Sequence, residues 1–313
     1  MSYNIQLMSV NPNETVSRVE FIRAASRRWP VHGWMGLALV AVFWPLDWLA
    51  PGQRTFWAFF PLWLGFIFTV DALVVARKGT SLFFRSRGKF AGLFLVSVFY
   101  WWLFEALNGR AHNWQYIGAG GLDLLGYVGI SSLNFSIVIP AVFEASELAS
   151  TFHFIRNVRP GLVIRGNRRT SLTFFLAGWA MLALLLAWPK YFFPFLWLSL
   201  FFIQEPVNIW LGNRTLANWT GKGDWRPVYS LWIGVLMTGF FWEMWNFFSW
   251  PKWLYSVPGV DFLHIFEMPL LGYGGYMPFA LELFAFYHLV VGLLREKRAA
   301  YVELEPGNGQ DDE

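Results

Sequence analysis

Four polar side chains fall close together in residues 239–288, a stretch that is otherwise mostly apolar and aromatic: Glu243, Asn246, Glu267 and Glu282. An ionisable group inside an apolar run is costly, so it marks a functional site by default. Carboxyl groups kept away from water tend to hold their protons, which makes them suitable proton donors. The types and spacing of these residues point to acid–base chemistry in an apolar environment.

The acids Glu243, Glu267 and Glu282 are the predicted catalytic residues. Glu243 ends one apolar run, Glu267 lies in the connection that turns back, and Glu282 lies on the returning run. We therefore expect the three carboxyl groups to converge on one cavity. The predicted substrate-binding residues come from this stretch and from a similar earlier one, residues 99–147, and they are Asn246, Trp242, Trp245, Trp253, Tyr255, His264, His288, Glu105, Asn108 and Glu144.

Each of these polar residues also has a structural interpretation. Glu105 with Asn108, and Glu243 with Asn246, share a helix face at i and i+3, where they can form a polar cap or an interhelical hydrogen bond. Glu144 and Glu282 follow Pro140 and Pro278 by one turn, so they can instead bond to backbone groups that the prolines free. His288 can be an ordinary hydrogen-bonded histidine in the middle of a helix.

Several chemistries are excluded or disfavoured by composition. The chain has no cysteine, which excludes disulfides, thiolate metal sites and cysteine nucleophiles. Its five histidines form no His-x-x-x-His or Glu-x-x-His pair, and phosphate-binding loops and Gly-x-Ser-x-Gly elbows are absent. We therefore predict neither a metal nor another cofactor. The net charge of +4 arises from basic residues in short loops, and it does not indicate nucleic-acid binding.

The elements that must hold these residues are predicted to be membrane-spanning helices. Hydrophobic residues make up 56% of the chain and charged residues only 14%, as in an all-α integral membrane protein. Eight apolar runs approach the ~20 residues that span a bilayer: 33–50, 56–76, 90–108, 131–150, 172–190, 192–212, 228–248 and 275–294. Alternate connecting segments hold 20 of the 24 basic residues, which predicts a bacterial cytoplasmic membrane protein with both termini cytoplasmic.

The sequence also contains an internal repeat. Glu105 and Asn108 match Glu243 and Asn246 at identical spacing, and the Pro-x-x-x-Glu pattern that ends at Glu144 recurs ending at Glu282. Trp114 and Tyr116 likewise match Trp253 and Tyr255, and Asp71 matches Glu205. Because each copy holds four spans, we predict two parallel four-helix repeats related by an axis along the membrane normal, with any shared site between them.

The predicted domain organisation follows from these patterns. Residues 1–30 form a cytoplasmic amphipathic segment with an interfacial helix. Residues 31–155 and 172–296 are the two repeats, and residues 156–171 are a basic cytoplasmic linker. The acidic residues 297–313 are predicted to be a disordered tail.

The two copies resemble the membrane-bound lycopene cyclases of the heterodimeric or fused type. The resemblance lies in the order of an acid-bearing span, a Trp-x-Tyr loop, a Pro/Glu element and a proline-containing span that ends in Glu. Here these are Glu243, residues 253–255, residues 267–269 and residues 278–282. The chain departs from the family pattern of paired acids just after a proline, because a single Glu stands before Pro269 and the first copy has none. The resemblance implies cofactor-independent protonation of a polyene or isoprenoid double bond by a carboxylic acid, with the carbocation shielded by aromatic rings.

Three functions follow as expectations. The first is a membrane-embedded cyclase- or isomerase-like enzyme that acts on a lipid or isoprenoid by carboxylic-acid proton transfer. The second is a transporter or lipid translocator built on paired repeats. The third is a non-catalytic membrane subunit. The predicted partners are the bilayer and a lipid or isoprenoid substrate, and protein partners are not predictable from the sequence.

Overall fold

The computed structural model describes residues 29–296 and 300–305. The predicted N-terminal interfacial helix lies outside these residues, apart from Trp29 at its end. The first half of the described chain has one strand, β1 (Trp114–Ile117), and the helices α1 (Val31–Leu49), α2 (Thr55–Lys78), α3 (Leu82–Arg85), α4 (Arg87–Ala111), α5 (Leu124–Phe135), α6 (Val138–Ser150) and α7 (His153–Arg156).

The second half has a similar order of elements. Its helices are α8 (Arg168–Ala187), α9 (Pro189–Phe192), α10 (Ser199–Leu211), α11 (Ala217–Thr220), α12 (Arg226–Phe247) and α13 (Tyr276–Leu293). Two 3-10 segments, Phe193–Trp197 and Leu270–Gly275, precede α10 and α13. The strands are β2 (Lys252–Tyr255), β3 (His264–Ile265) and β4 (Met268–Pro269).

Local sequence explains where several helices begin and end. The side chains of Ser86, Asp123 and Asn167 accept hydrogen bonds from backbone N–H groups in the first turns of α4, α5 and α8, as N-cap residues do. Gly79 follows the last residue of helix α2 and caps it, with a positive φ of 77° that suits glycine. These signals are local, so they fix the helix limits independently of the membrane.

Five helical segments are long and apolar enough to cross a membrane: Thr55–Lys78, Arg87–Ala111, Leu124–Ser150, Arg168–Ala187 and Leu270–Leu293. The segments Pro189–Trp197 and Ser199–Leu211 together make a sixth, bent by 41°. Helices α1 and α12 occupy the other two predicted positions, but they do not meet the same criteria of length and hydropathy. The described chain is therefore an all-α membrane protein with five or six recognisable spans.

The two halves pack through closely approaching helices. Every residue of α6 is buried, and Gly234 on α12 lies directly against Ser146, where a side-chain carbon would collide. Tyr100 on α4 stacks on Phe286 of α13 with ring centroids 4.0 Å apart. Small residues that admit a neighbouring backbone are typical of helix contacts in membranes. The core thus runs across the boundary between the halves.

Strands β1 and β2 join the halves at one end of the bundle, called here the strand end. They pair antiparallel, with Trp114 opposite Tyr255 and Tyr116 opposite Trp253. At the same end the backbone N–H of Thr55, the first residue of α2, donates to the carbonyl of Trp250. Helix α2 then runs for 24 residues to the opposite end of the bundle.

That opposite end, called here the basic end, holds a buried ion network. Arg85 donates to the buried carboxylate of Glu147, and Lys78 lies 3.6 Å from the same group. Residues 300–305 bind this network: Glu303 lies 2.9 Å from Lys78, and its backbone N–H donates to Glu147. Tyr301, Val302 and Leu304 are buried, so this part of the predicted disordered tail is packed against the bundle.

Candidate functional site

A large cavity lies at the strand end between the two halves. Its volume is about 450 Å³, within the roughly 300–1,000 Å³ typical of small-molecule sites. Its walls are predominantly apolar and aromatic, and its rings include Phe59, Trp101, Trp114, Phe135, Trp197, Trp242, Trp253 and Phe279. Such a lining suits an apolar molecule with few polar groups.

Glu243 lies beneath one wall of this cavity. Tyr255 and Tyr276 line the cavity, and both hydroxyls donate to Oε1 of Glu243, the first at 2.7 Å. The indole N–H of Trp253 donates in turn to the Tyr255 hydroxyl at 2.8 Å. Glu243 itself is fully buried, and its Oε2 has no hydrogen-bond partner. The carboxyl group is therefore connected to the cavity by hydrogen bonds from two phenolic hydroxyls.

Glu105 has the corresponding place in the first half. Its Oε1 accepts hydrogen bonds from the Tyr116 hydroxyl at 2.6 Å, from Trp101 Nε1 at 3.0 Å and from Trp114 Nε1 at 3.1 Å. All three donors line the cavity. Two carboxyl groups thus reach the same cavity from opposite halves, each through aromatic side chains that carry a polar hydrogen.

Two asparagines fix the strands that carry these aromatic residues. The Asn246 side chain bonds to both backbone groups of Trp253, donating to its carbonyl at 2.8 Å and accepting from its N–H at 3.0 Å. The Asn108 side chain does the same with Trp114, at 2.9 and 3.2 Å. The predicted substrate-binding residues Asn108 and Asn246 therefore position cavity residues.

Burial and a nearby acid hold the cavity tyrosines in their neutral form. Burial, with a smaller contribution from Glu243, raises the pKa of Tyr255 well above its ordinary value. Burial and Glu105 raise the pKa of Tyr116 in the same direction. Both hydroxyls therefore keep their hydrogen at neutral pH and remain hydrogen-bond donors to the two carboxyl groups.

The structure places Glu282 in a different setting. Its Oε1 accepts from the backbone N–H groups of Leu200 and Phe201, at 3.1 and 3.4 Å, in the first turn of α10. The carboxyl group thus binds backbone N–H groups that have no partner within the helix, at a helix N-terminus that attracts negative charge. Glu282 is not among the residues that line the cavity.

Glu267 and the two predicted histidines also have local partners. Glu267 forms an ion pair with Lys252, a cavity-lining residue that begins β2. His264 is 2.9 Å from Asp261 in the neighbouring exposed loop. His288 lies on α13, where Nδ1 is 2.9 Å from the carbonyl of Phe284. The three predicted acids are therefore not brought together in the cavity.

The remaining predicted residues divide between the cavity and the core. Trp242, Trp253 and Tyr255 line the cavity. Trp245 instead packs in the core against Trp63, with ring centroids 5.0 Å apart. Glu144 is buried beside Asp71, and His32 Nε2 lies 2.7 Å from that aspartate. The pair Glu144–Asp71 lies within the helix core.

Sequence reasoning overlooked several cavity residues. Tyr276 was missed because 33 residues separate it from Glu243. Tyr116 could have been found, since the repeat matches it with Tyr255. Helix α5 contributes three polar cavity residues, at a spacing that puts them on one face of an apolar span: Tyr127, Ser131 and Asn134. That spacing was the available signal.

Neither a search for metal sites nor a comparison with known proteins assigns a function to the cavity. Across residues 29–296 and 300–305, no group of three His, Asp or Glu side chains is arranged to hold a metal ion. Comparison of the chain with protein-family models, curated proteins and solved structures found no match in any of the three.

Proposed function

We propose that this chain is a membrane-embedded enzyme that binds a lipid or isoprenoid in the aromatic cavity and transfers a proton to it from Glu243. The observation that carries the proposal is the double hydrogen bond from Tyr255 and Tyr276, both cavity residues, to one buried carboxyl group. Glu282 and Glu267 then have supporting roles, as the acceptor at the start of α10 and as the partner of Lys252.

The proton step balances without a cofactor. In the resting site the hydroxyls of Tyr255 and Tyr276 donate to Oε1 of Glu243. When substrate is bound, one hydroxyl turns its hydrogen from Glu243 to an alkene carbon and transfers it, while the protonated Glu243 donates its own proton to that tyrosine oxygen. The π electron pair of the double bond forms the new C–H bond and leaves a carbocation on the neighbouring carbon. Loss of a different proton along the same route restores Glu243 and forms a new double bond, so the product is an isomer or a cyclised isomer of the substrate.

The aromatic walls support this chemistry. Trp101 and Trp242 face the cavity and stack with ring centroids 5.4 Å apart and an interplanar angle of 27°. The negative faces of aromatic rings stabilise a nearby cation, most strongly where water is excluded. An isoprenoid or polyene, the substrate class of the lycopene cyclases that the sequence resembles, would form such a cation on protonation.

We further infer that the fold is an eight-span duplication with both termini cytoplasmic. The matched hydrogen bonds support the repeat: Asn108 and Asn246 bind equivalent tryptophans, and Glu105 and Glu243 accept from equivalent tyrosines. The antiparallel pairing of β1 with β2 is compatible with a two-fold axis along the membrane normal. The distribution of basic residues supports the orientation.

The test compares lipid extracts of cells with and without the protein, and identifies the apolar molecule that purifies with it. Glu243→Gln should keep the bound molecule and lose the product. Gly274→Leu should lose both, because Gly274 lines the cavity and an added side chain enters open space. Gly92→Leu is the matched control, since a side chain added at this glycine also enters open space, but Gly92 does not line the cavity.

The same experiment separates the alternatives. If a lipid purifies with the protein but the lipid extracts of cells with and without the protein are the same, the result would support a translocator or a non-catalytic subunit. A product that survives Glu243→Gln would remove the carboxyl group from the reaction. If no apolar molecule purifies with the wild type, the cavity is not a lipid site and the proposal fails.

A further inference from the structure

One helix presents a polar face to an otherwise aromatic cavity. Tyr127, Ser131 and Asn134 of α5 all line it, at the i, i+4, i+7 spacing that places side chains on one face. Tyr127 and Ser131 are neighbours on this face. This face, called here the α5 polar face, belongs to the apolar span Leu124–Ser150, where polar side chains are expensive.

Two amide oxygens beside this cavity have no partner. Oδ1 of Asn134 and Oδ1 of Asn113 are buried atoms without a hydrogen bond, and both asparagines line the cavity. Asn113 as a residue is only 4% exposed. A buried polar atom without a partner destabilises the protein, and a ligand that supplies the missing donor removes this penalty.

The cavity offers little to an anionic group. Among the described residues that line the cavity, Lys252 carries the positive charge. Its ammonium group binds Glu267 and the carbonyl of Phe247. A phosphate or carboxylate would have to displace Glu267 from this pair. An uncharged group meets no such obstacle.

We propose that the ligand is an apolar chain with one uncharged hydroxyl group, which donates its hydrogen to Asn134 on the α5 polar face. This inference rests on the proposed function, because it names the substrate class of the same cavity. The rest of the lining consists largely of aromatic rings and of residues from the glycine-rich segment Leu270–Gly275. An ether or ester oxygen lacks the hydrogen that the amide oxygens require.

Equilibrium binding to purified protein in nanodiscs tests this inference. Tritiated farnesol is the probe, and farnesyl methyl ether and farnesyl monophosphate are the competitors. The wild type should bind farnesol about tenfold more tightly than the ether, the difference expected for one buried hydrogen bond. Asn134→Leu keeps the size of the side chain and should bind both equally. Ser132→Ala is the control on the same helix, because Ser132 bonds to Trp102 and lies outside the cavity.

Each outcome decides between the two proposals. Gly274→Leu gives the background of partitioning into lipid, and binding of no probe above it would overturn the proposed function together with this inference. Equal binding of farnesol and its ether by the wild type, or tighter binding of the monophosphate, would overturn the hydroxyl assignment while the cavity remains a lipid site. If Asn134→Leu still prefers farnesol to the ether, the hydroxyl group does not bind Asn134, and the assignment to that residue is overturned.

Discussion

Tyr276 and Glu243 are joined by a hydrogen bond between the first turn of α13 and the last turns of α12. The tyrosine faces the cavity, whereas the carboxyl group is fully buried behind it. Like Tyr255, Tyr276 therefore lies between the acid and a bound molecule, and its hydroxyl carries a transferable hydrogen.

The first prediction concerns this route. Tyr276→Phe should lower product formation by about a hundredfold, because a positioned proton-transfer group contributes on that order. It should leave the apolar ligand bound, since only one hydroxyl is lost from an aromatic wall. Product is measured in lipid extracts and bound ligand by mass spectrometry of the purified protein. Tyr229→Phe on the same helix as Glu243, where Tyr229 is 38% exposed, is the control that should retain wild-type conversion. Equal conversion by both variants would exclude Tyr276 from the route.

The second prediction concerns the asparagines that hold the strands. Asn246→Leu should destabilise the fold by about 2 kcal/mol, because it leaves both backbone groups of Trp253 without their buried partner. Asn108→Leu should cost a similar amount through Trp114. Thermal unfolding in detergent measures both. Asn157→Leu, at an exposed position, should change the midpoint little. A large effect in one half alone would argue against equivalent roles.

The third prediction concerns the basic end. Arg85→Met removes a cation from the fully buried Glu147 and should cost about 3 kcal/mol, since an uncompensated buried charge is strongly destabilising. Adding Glu147→Gln should recover part of that loss. Lys89→Met is the matched control, because Lys89 pairs with Glu296 at an exposed position where such pairs contribute under about 1 kcal/mol. If the double variant is no more stable than Arg85→Met, the buried charge is not the cause.

The fourth prediction concerns orientation. The absence of cysteine permits single cysteines to be introduced without background. Gly120→Cys lies at the strand end, at an exposed position where a side chain meets nothing, and should react with an impermeant maleimide in intact cells. Arg159→Cys, in the basic linker, should react only after permeabilisation. The opposite pattern would invert the proposed topology, and labelling of both in intact cells would contradict it.

Much of the helical architecture is predictable from the sequence, because hydrophobic runs of spanning length are local features. The interruptions are harder to predict. The run 131–150 is divided at residues 136–137 between α5 and α6, where Pro140 has no N–H to continue the helical bonding and Ser136 bonds back to Leu133. The strands β1 and β2 are four residues each, and each pairs with a strand in the other half. Their pairing therefore cannot be predicted from the local sequence.

The site was predictable in its residue types but not in its connections. An acid in an apolar run correctly indicates burial, as for Glu282 and Glu243. Its partner depends on tertiary packing: Glu282 binds backbone groups 81 and 82 residues away. Which acid reaches the cavity was therefore decided by helix packing and not by spacing along the chain.

The register of the β1–β2 ladder has an evolutionary consequence. Trp114 faces Tyr255 and Tyr116 faces Trp253, so each strand offers its partner the same two residue types in the same order. Two identical Trp-x-Tyr strands would make this contact about a two-fold axis, because an isologous contact contains each residue pair twice. Under the proposed duplication, the ladder would have given a half-length ancestor the means to assemble as a homodimer before fusion of the two copies. In that proposal, fusion lets the two copies change independently, which accounts for Glu267 occurring in the second half alone.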